Sequence, residues 1–125
     1  MKTIKVLLVE DDDLAHPLIS KIVQEVFNTS LEMVETGIEA ARSIEKNAYD
    51  LILMDLALLE SDGFRITQEI RARKDAKKNV VIVGITAFLT DAVEKVCSKV
   101  GMNKVFAKPF TKEKCLEIKQ EFFAE

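Results

Sequence analysis

Four acids stand in a row at Glu10, Asp11, Asp12 and Asp13, directly after the apolar run Ile4–Val9. Three further polar residues also close apolar runs. Asp55 ends YDLILMD, Thr86 ends the strand-like part of VVIVGITA, and Lys108 follows KVFA and precedes Pro109. Brought together, these would form a small site of carboxylates, one hydroxyl and one ammonium. Carboxylates crowded in this way resist ionising together unless a cation is present. A hard divalent ion answers that need, and Mg²⁺ is the natural one, since it accepts a few carboxylates and keeps several waters. On its own the acidic run has blander readings, a solvated loop or a helix cap.

Whether these residues meet depends on the elements that carry them. Short aliphatic or β-branched runs read as strands at Ile4–Val9, Leu31–Val34, Leu51–Met54, Val80–Ile85 and Lys104–Ala107. Three are almost continuously apolar, as expected of strands covered on both faces. Between them lie segments of helical period. Leu18, Ile19, Ile22, Val23 and Val26 form a broad apolar face in the first. Ile38, Ala41, Ile44 and Ala48 recur in the second, Ile66 and Ile70 in the third, and Ala92, Val93, Val96 and Val100 in the fourth.

Thr36 and Glu39 have capping-box spacing. Thr111 suits the cap of the last helix, Gly101 a C-terminal stop, and Pro17 only a first helical turn. Within the acidic run, Asp12 or Asp13 is expected to cap the first helix, leaving Glu10 and Asp11 for a metal. The pattern is strand–helix repeated five times, an α/β fold with a doubly wound, five-stranded parallel sheet and helices on both faces. Ligands of such sheets sit beyond the carboxyl ends of the strands, where Glu10, Asp11, Asp55, Thr86 and Lys108 would converge.

Composition narrows the function classes. The 125 residues carry a net charge of −3, with 48% apolar and 31% charged residues. That suits one domain, expected over 1–125, with a real core. It offers no basic footprint for nucleic acid. No apolar stretch reaches the roughly 18 residues of a membrane span, and the N-terminus does not read as a signal peptide. Cys97 and Cys115 lack metal-type spacing and read as reduced thiols of a cytoplasmic protein. The single histidine, His16, reads as a surface residue, and Phe122 and Phe123 as core and tail.

Taken in order, LLVEDD, LILMDLALLESDG, GITA and KPF on a five-fold βα pattern resemble a bacterial response-regulator receiver domain over essentially the whole chain. The resemblance implies the flavodoxin-like (βα)5 fold with strand order 2-1-3-4-5. It implies a phosphoacceptor module of a two-component phosphorelay, with Asp55 taking a phosphoryl group from a histidine kinase or a histidine phosphotransfer protein. Mg²⁺ would be bound by Asp11 and Asp55, by Glu10 through a water, and by the backbone carbonyl of Ala57. Lys108 would pair with a phosphoryl oxygen and Thr86 would report its presence, beside a small Ala87. The Lys108–Pro109 bond would be cis. The receiver would catalyse its own phosphorylation and dephosphorylation without being a turnover enzyme, unless it belongs to a hybrid histidine kinase, when the full-length protein would be a kinase. A transient homodimer through helix 4, strand 5 and helix 5 belongs to the same expectation. Direct contact of this domain with nucleic acid or membrane does not.

The sequence departs from the family pattern at four places. Leu58 and Leu59 replace the usual Met-Pro of the third loop, and Val105 replaces the usual switch aromatic, with Phe106 turned to the other face. Two residues past Asp55 is Ala57, and two past Thr86 is Phe88. Neither side chain can orient a hydrolytic water, and Phe88 is placed to screen the phosphoryl group, so slow self-dephosphorylation is expected. The alternatives are a degenerate receiver that binds without phosphorylation and, on weaker grounds, a Mg²⁺-dependent phosphohydrolase, whose acid/base aspartate would be wanted where Ala57 stands.

Overall fold

Alternating side chains on a strand point to opposite faces, so the runs Val6–Val9 and Leu51–Met54, apolar at every position, need cover on both sides. The computed structural model, which describes residues 3–124 with the side chains of 57–62 left aside, supplies that cover. Among these residues the elements run β1 (Val6–Val9), α1 (Ala15–Phe27), β2 (Leu31–Val34), α2 (Gly37–Lys46), β3 (Leu51–Asp55), α3 (Leu56–Arg71), β4 (Val81–Thr86), α4 (Asp91–Val100), β5 (Lys104–Ala107) and α5 (Lys112–Phe122). A short 3₁₀ turn at Ala76–Asn79, not foreseen from periodicity, precedes β4. The five strands form one parallel sheet of order 2-1-3-4-5, the flavodoxin-like order.

Two cores flank the sheet. Val6, Leu8, Leu51, Leu53, Val83, Ile85 and Phe106 pack with Ile19 and Val23 of α1 and Cys115 and Ile118 of α5. Leu7, Val9, Ile52, Met54 and Ile82 pack with Ala40 and Ile44 of α2, Ile66 and Ile70 of α3 and Cys97 of α4. Val105 packs on the second face while Phe106 is buried on the first, as strand alternation requires. Phe122 and Phe123 are half-buried against the α1/α5 core, Phe123 edge-on to Phe27 with ring centroids 5.6 Å apart.

The helix ends follow the sequence closely. Thr36, Thr90 and Thr111 each accept a backbone N–H three residues on. Gly101 ends α4 at φ +109°, a left-handed conformation that favours glycine. Gly63 lets α3 close on β3, since a Cβ there would lie 2.8 Å from Met54 Sδ.

Three expectations need correction. In α2 the buried line is Gly37, Ala40 and Ile44; Ile38, Ala41 and Ala48 face solvent. In α4 it is Cys97 flanked by the half-buried Val93 and Val100, with Ala92 and Val96 exposed. Apolar residues on neighbouring helical lines disguise which line faces the sheet. Finally, α1 has Leu14 at its N-cap without a side-chain cap bond. Asp12 instead shapes the turn before it, accepting the Leu14 N–H on its carboxylate at 2.9 Å and the Ala15 N–H on its carbonyl at 3.0 Å.

Candidate functional site

Strand register assembles the site. Val9 pairs with Met54, so Glu10 and Asp55, the next residues of β1 and β3, stand level at the carboxyl edge. Asp55 pairs with Ile85 in β4, and Thr86 pairs with Ala107 in β5, which leaves Lys108 one step beyond. The Lys108 N–H donates to the Thr86 carbonyl at 2.7 Å, and the Lys108–Pro109 bond is cis. From there Lys108 Nζ reaches back across β4 to Asp55 Oδ2 at 2.9 Å. Glu10 and Asp55 are only 3% and 4% exposed, and Thr86 is buried.

Two buried carboxyls and one ammonium carry an unequal charge, and Glu10 and Lys108 both titrate away from their ordinary values. The Glu10 carboxyl is pushed up to about 8, first by burial, then by a shared hydrogen bond with Asp55 and the Asp55 charge; Lys108 pulls it the other way and Asp11 adds to the rise. Burial works against the charge on Lys108, but Asp55, with Glu10 and Asp12, outweighs it and holds the ammonium above its ordinary value. Glu10 Oε2 is buried without a hydrogen-bond partner. An orphaned carboxylate oxygen beside a second buried carboxylate is what a hard cation would satisfy, so the donor set fits Mg²⁺. Among the described residues, no three acidic, histidine or cysteine side chains form a ready-made cage. Mg²⁺ needs less, since it retains water.

Glu10, Asp55 and Lys108 also line a cavity of about 370 Å³ that runs between α1 and the β5–α5 loop. Asp12, rather than Asp11, lines it; Asp11 is exposed. The Thr86 hydroxyl accepts the Phe88 N–H at 3.3 Å. Phe88 itself is 82% exposed and lies outside the cavity lining, so in this structure it does not screen Asp55. The side chains of Ala57, Leu58 and Leu59 are among those left aside. Sequence reasoning missed the mouth of the cavity. Leu18, 68% exposed, lines it from α1, and Leu14, 80% exposed, is the N-cap of that helix. Their signal was present in the pattern: they share an i, i+4 line distinct from the buried line of Ile19, Val23 and Val26.

A sequence profile of the response regulator receiver domain matches residues 6–120. The chain belongs to the receiver domain family. The receiver is 34% identical to the solved receiver domain of sensor histidine kinase PA1611 from Pseudomonas aeruginosa PAO1, which has a magnesium ion coordinated in its active-site cleft. The two superpose with a TM-score of 0.81 over 97% of this chain and 98% of that one. It is 35% identical over 115 residues to hybrid signal transduction histidine kinase B of Dictyostelium discoideum, covering 84% of this chain and 6% of that protein. It is 32% identical over 112 residues to the transcription factor SKN7 of Saccharomyces cerevisiae, covering 90% and 17%. The chain thus spans a small part of these curated relatives, and they extend the resemblance beyond bacteria. Among the described residues, no helix is long and apolar enough to cross a membrane.

Proposed function

We propose that this receiver, acting over 1–125 as a single module in the cytoplasm, accepts a phosphoryl group on Asp55 from a phosphohistidine of a kinase or phosphotransfer protein. The observation that carries the proposal is the Lys108–Asp55 contact of 2.9 Å beside the buried, half-orphaned Glu10. An Asp55 carboxylate oxygen forms the new bond to phosphorus as the P–N bond breaks, and the histidine nitrogen leaves with the electron pair. Asp11, Asp55, the Ala57 carbonyl and, through a water, Glu10 would hold Mg²⁺, which when bound neutralises charge on the phosphoryl oxygens. Lys108 turns from the Asp55 carboxylate to a phosphoryl oxygen as a fixed point charge. The Thr86 hydroxyl, already accepting the Phe88 N–H, keeps its own proton to donate to another phosphoryl oxygen. The phosphoryl group, with a charge of about −1.5 to −2 in place of the single carboxylate charge, then biases the β4–α4 loop and the α4/β5 surface.

The donor fits the groove over α1. Exposed Leu18 lines the cavity that opens onto Asp55, and exposed Leu14 precedes it at the N-cap of α1, which suits the apolar face of a helix presenting the phosphohistidine. A transient homodimer through α4, β5 and α5 belongs to the same proposal. Loss of the phosphoryl group is slow, because neither Ala57 nor Phe88 carries a side-chain donor or acceptor for the attacking water; this suits a relay that passes the group to another histidine. Intact mass after incubation with Mg²⁺ and acetyl phosphate tests the proposal. The chain should gain one phosphoryl group that persists for minutes, and Asp55→Asn should gain none. A folded chain that gains none would instead be a phosphorylation-independent binding module, and loss within seconds would refute the slow hydrolysis.

A further inference from the structure

The β5–α5 loop has to aim Lys108, and something has to hold that loop. The loop is tied on one side by the Lys108 N–H on the Thr86 carbonyl, 2.7 Å, and buried Phe110 fills the α1/α5 core. On the other side stands Lys114. Its ammonium donates to the Ala107 carbonyl at 2.6 Å and to the Pro109 carbonyl at 2.8 Å, the two acceptors that bracket Lys108. Lys114 lies in the first turn of α5, where its own N–H is taken by the Thr111 cap at 3.3 Å. A cation there is on the unfavourable end of the helix dipole. Neighbouring Lys112, in the same turn, turns outward to Glu25 at 3.5 Å. Lys114 instead bends back onto the loop, and two charge-assisted bonds of this kind are stronger than neutral ones.

We infer that Lys114 is a positioning residue for phosphoryl transfer, clamping the carbonyls on either side of Lys108 so that its ammonium is aimed at Asp55 before the phosphoryl group arrives. This rests on Asp55 being the phosphoacceptor. Lys114 does not touch Asp55; its effect passes through Lys108. Without it the two half-exposed carbonyls are solvated by water, the fold persists, and Lys108 samples positions short of the phosphoryl oxygens. Misplacement of a catalytic group by about 1 Å is costly to rate.

Initial rates of phosphorylation by acetyl phosphate with Mg²⁺, read by intact mass, decide the matter. Lys114→Met should slow the reaction about tenfold, Lys114→Arg should restore most of the rate, and Lys112→Met should match the wild type. In a Lys108→Met background, Lys114→Met should add nothing, because a residue acting through Lys108 has no effect once Lys108 is gone. A Lys114→Met rate equal to wild type, or an equal further fall in the Lys108→Met background, would overturn the inference. A wild-type chain that gains no phosphoryl group on Asp55 would instead defeat the phosphoacceptor proposal itself.

Discussion

Glu10 is a carboxyl held far from its ordinary balance. Its ordinary value is 4.5 and burial with Asp55 pushes it up to about 8. Between those values the folded chain holds more proton than the unfolded chain. Glu10 therefore contributes stability that is fully present below its unfolded value and is lost as pH rises through its folded one. In chelator, the urea midpoint of the wild type should fall from about pH 5 to about pH 9 more than that of Glu10→Gln, which cannot ionise. Adding Mg²⁺ should narrow the gap by stabilising the ionised form. Parallel curves for the two proteins would show that Glu10 ionises freely. Glu10, Asp55, Thr86 and Lys108 could all be picked out beforehand, because each is a polar residue ending an apolar run. The clamp by Lys114 and the turn made by Asp12 could not, because a lysine or aspartate near a helix start has many partners within reach and only the folded loop selects one.

At the scale of elements, period told strand from helix but did not always fix helix phase. β2 and β5 fall where the β-branched runs place them, and the three threonine caps follow from residue type and spacing. In α2, however, apolar residues lie on adjacent helical lines, and only the line of Gly37, Ala40 and Ile44 is buried. The difference is measurable. Ile44→Ala should cost about 2–5 kcal/mol in chemical denaturation, since it leaves a cavity in the core of α2, α3 and the sheet. Ile38→Ser, at an exposed position, should change stability by about 0.5 kcal/mol or less. Comparable losses at both would mean that α2 is rotated from the orientation seen here. The same reasoning explains α1, whose apolar residues divide between a buried line and an exposed pair beside the cavity. A helix that serves both core and partner carries two stripes, and periodicity alone merges them.

At the scale of the whole molecule, chemistry comes from parallel register. Glu10, Asp55, Thr86 and Lys108 are scattered over almost a hundred positions of sequence, and Lys108 and Asp55 alone are separated by 53 residues. Period and length required a parallel sheet with helices on both faces, and the crossing of order at β1 and β3 then determines which strand ends become neighbours. That order was not legible in periodicity, because three of the strands are almost continuously apolar and would satisfy several arrangements; it came from resemblance to receiver domains. The departures from the family pattern at Val105 and at Leu58-Leu59 leave the charged core of the site in place. The central claim is that this core takes a phosphoryl group from histidine to Asp55. Its most direct test is to mix the chain with a histidine phosphotransfer protein labelled on its phosphohistidine, with Mg²⁺ present, and follow the label. Label should leave the histidine and appear on the wild-type chain at Asp55, while Asp55→Asn leaves it on the donor; transfer to Asp55→Asn as fast as to the wild type would contradict the claim.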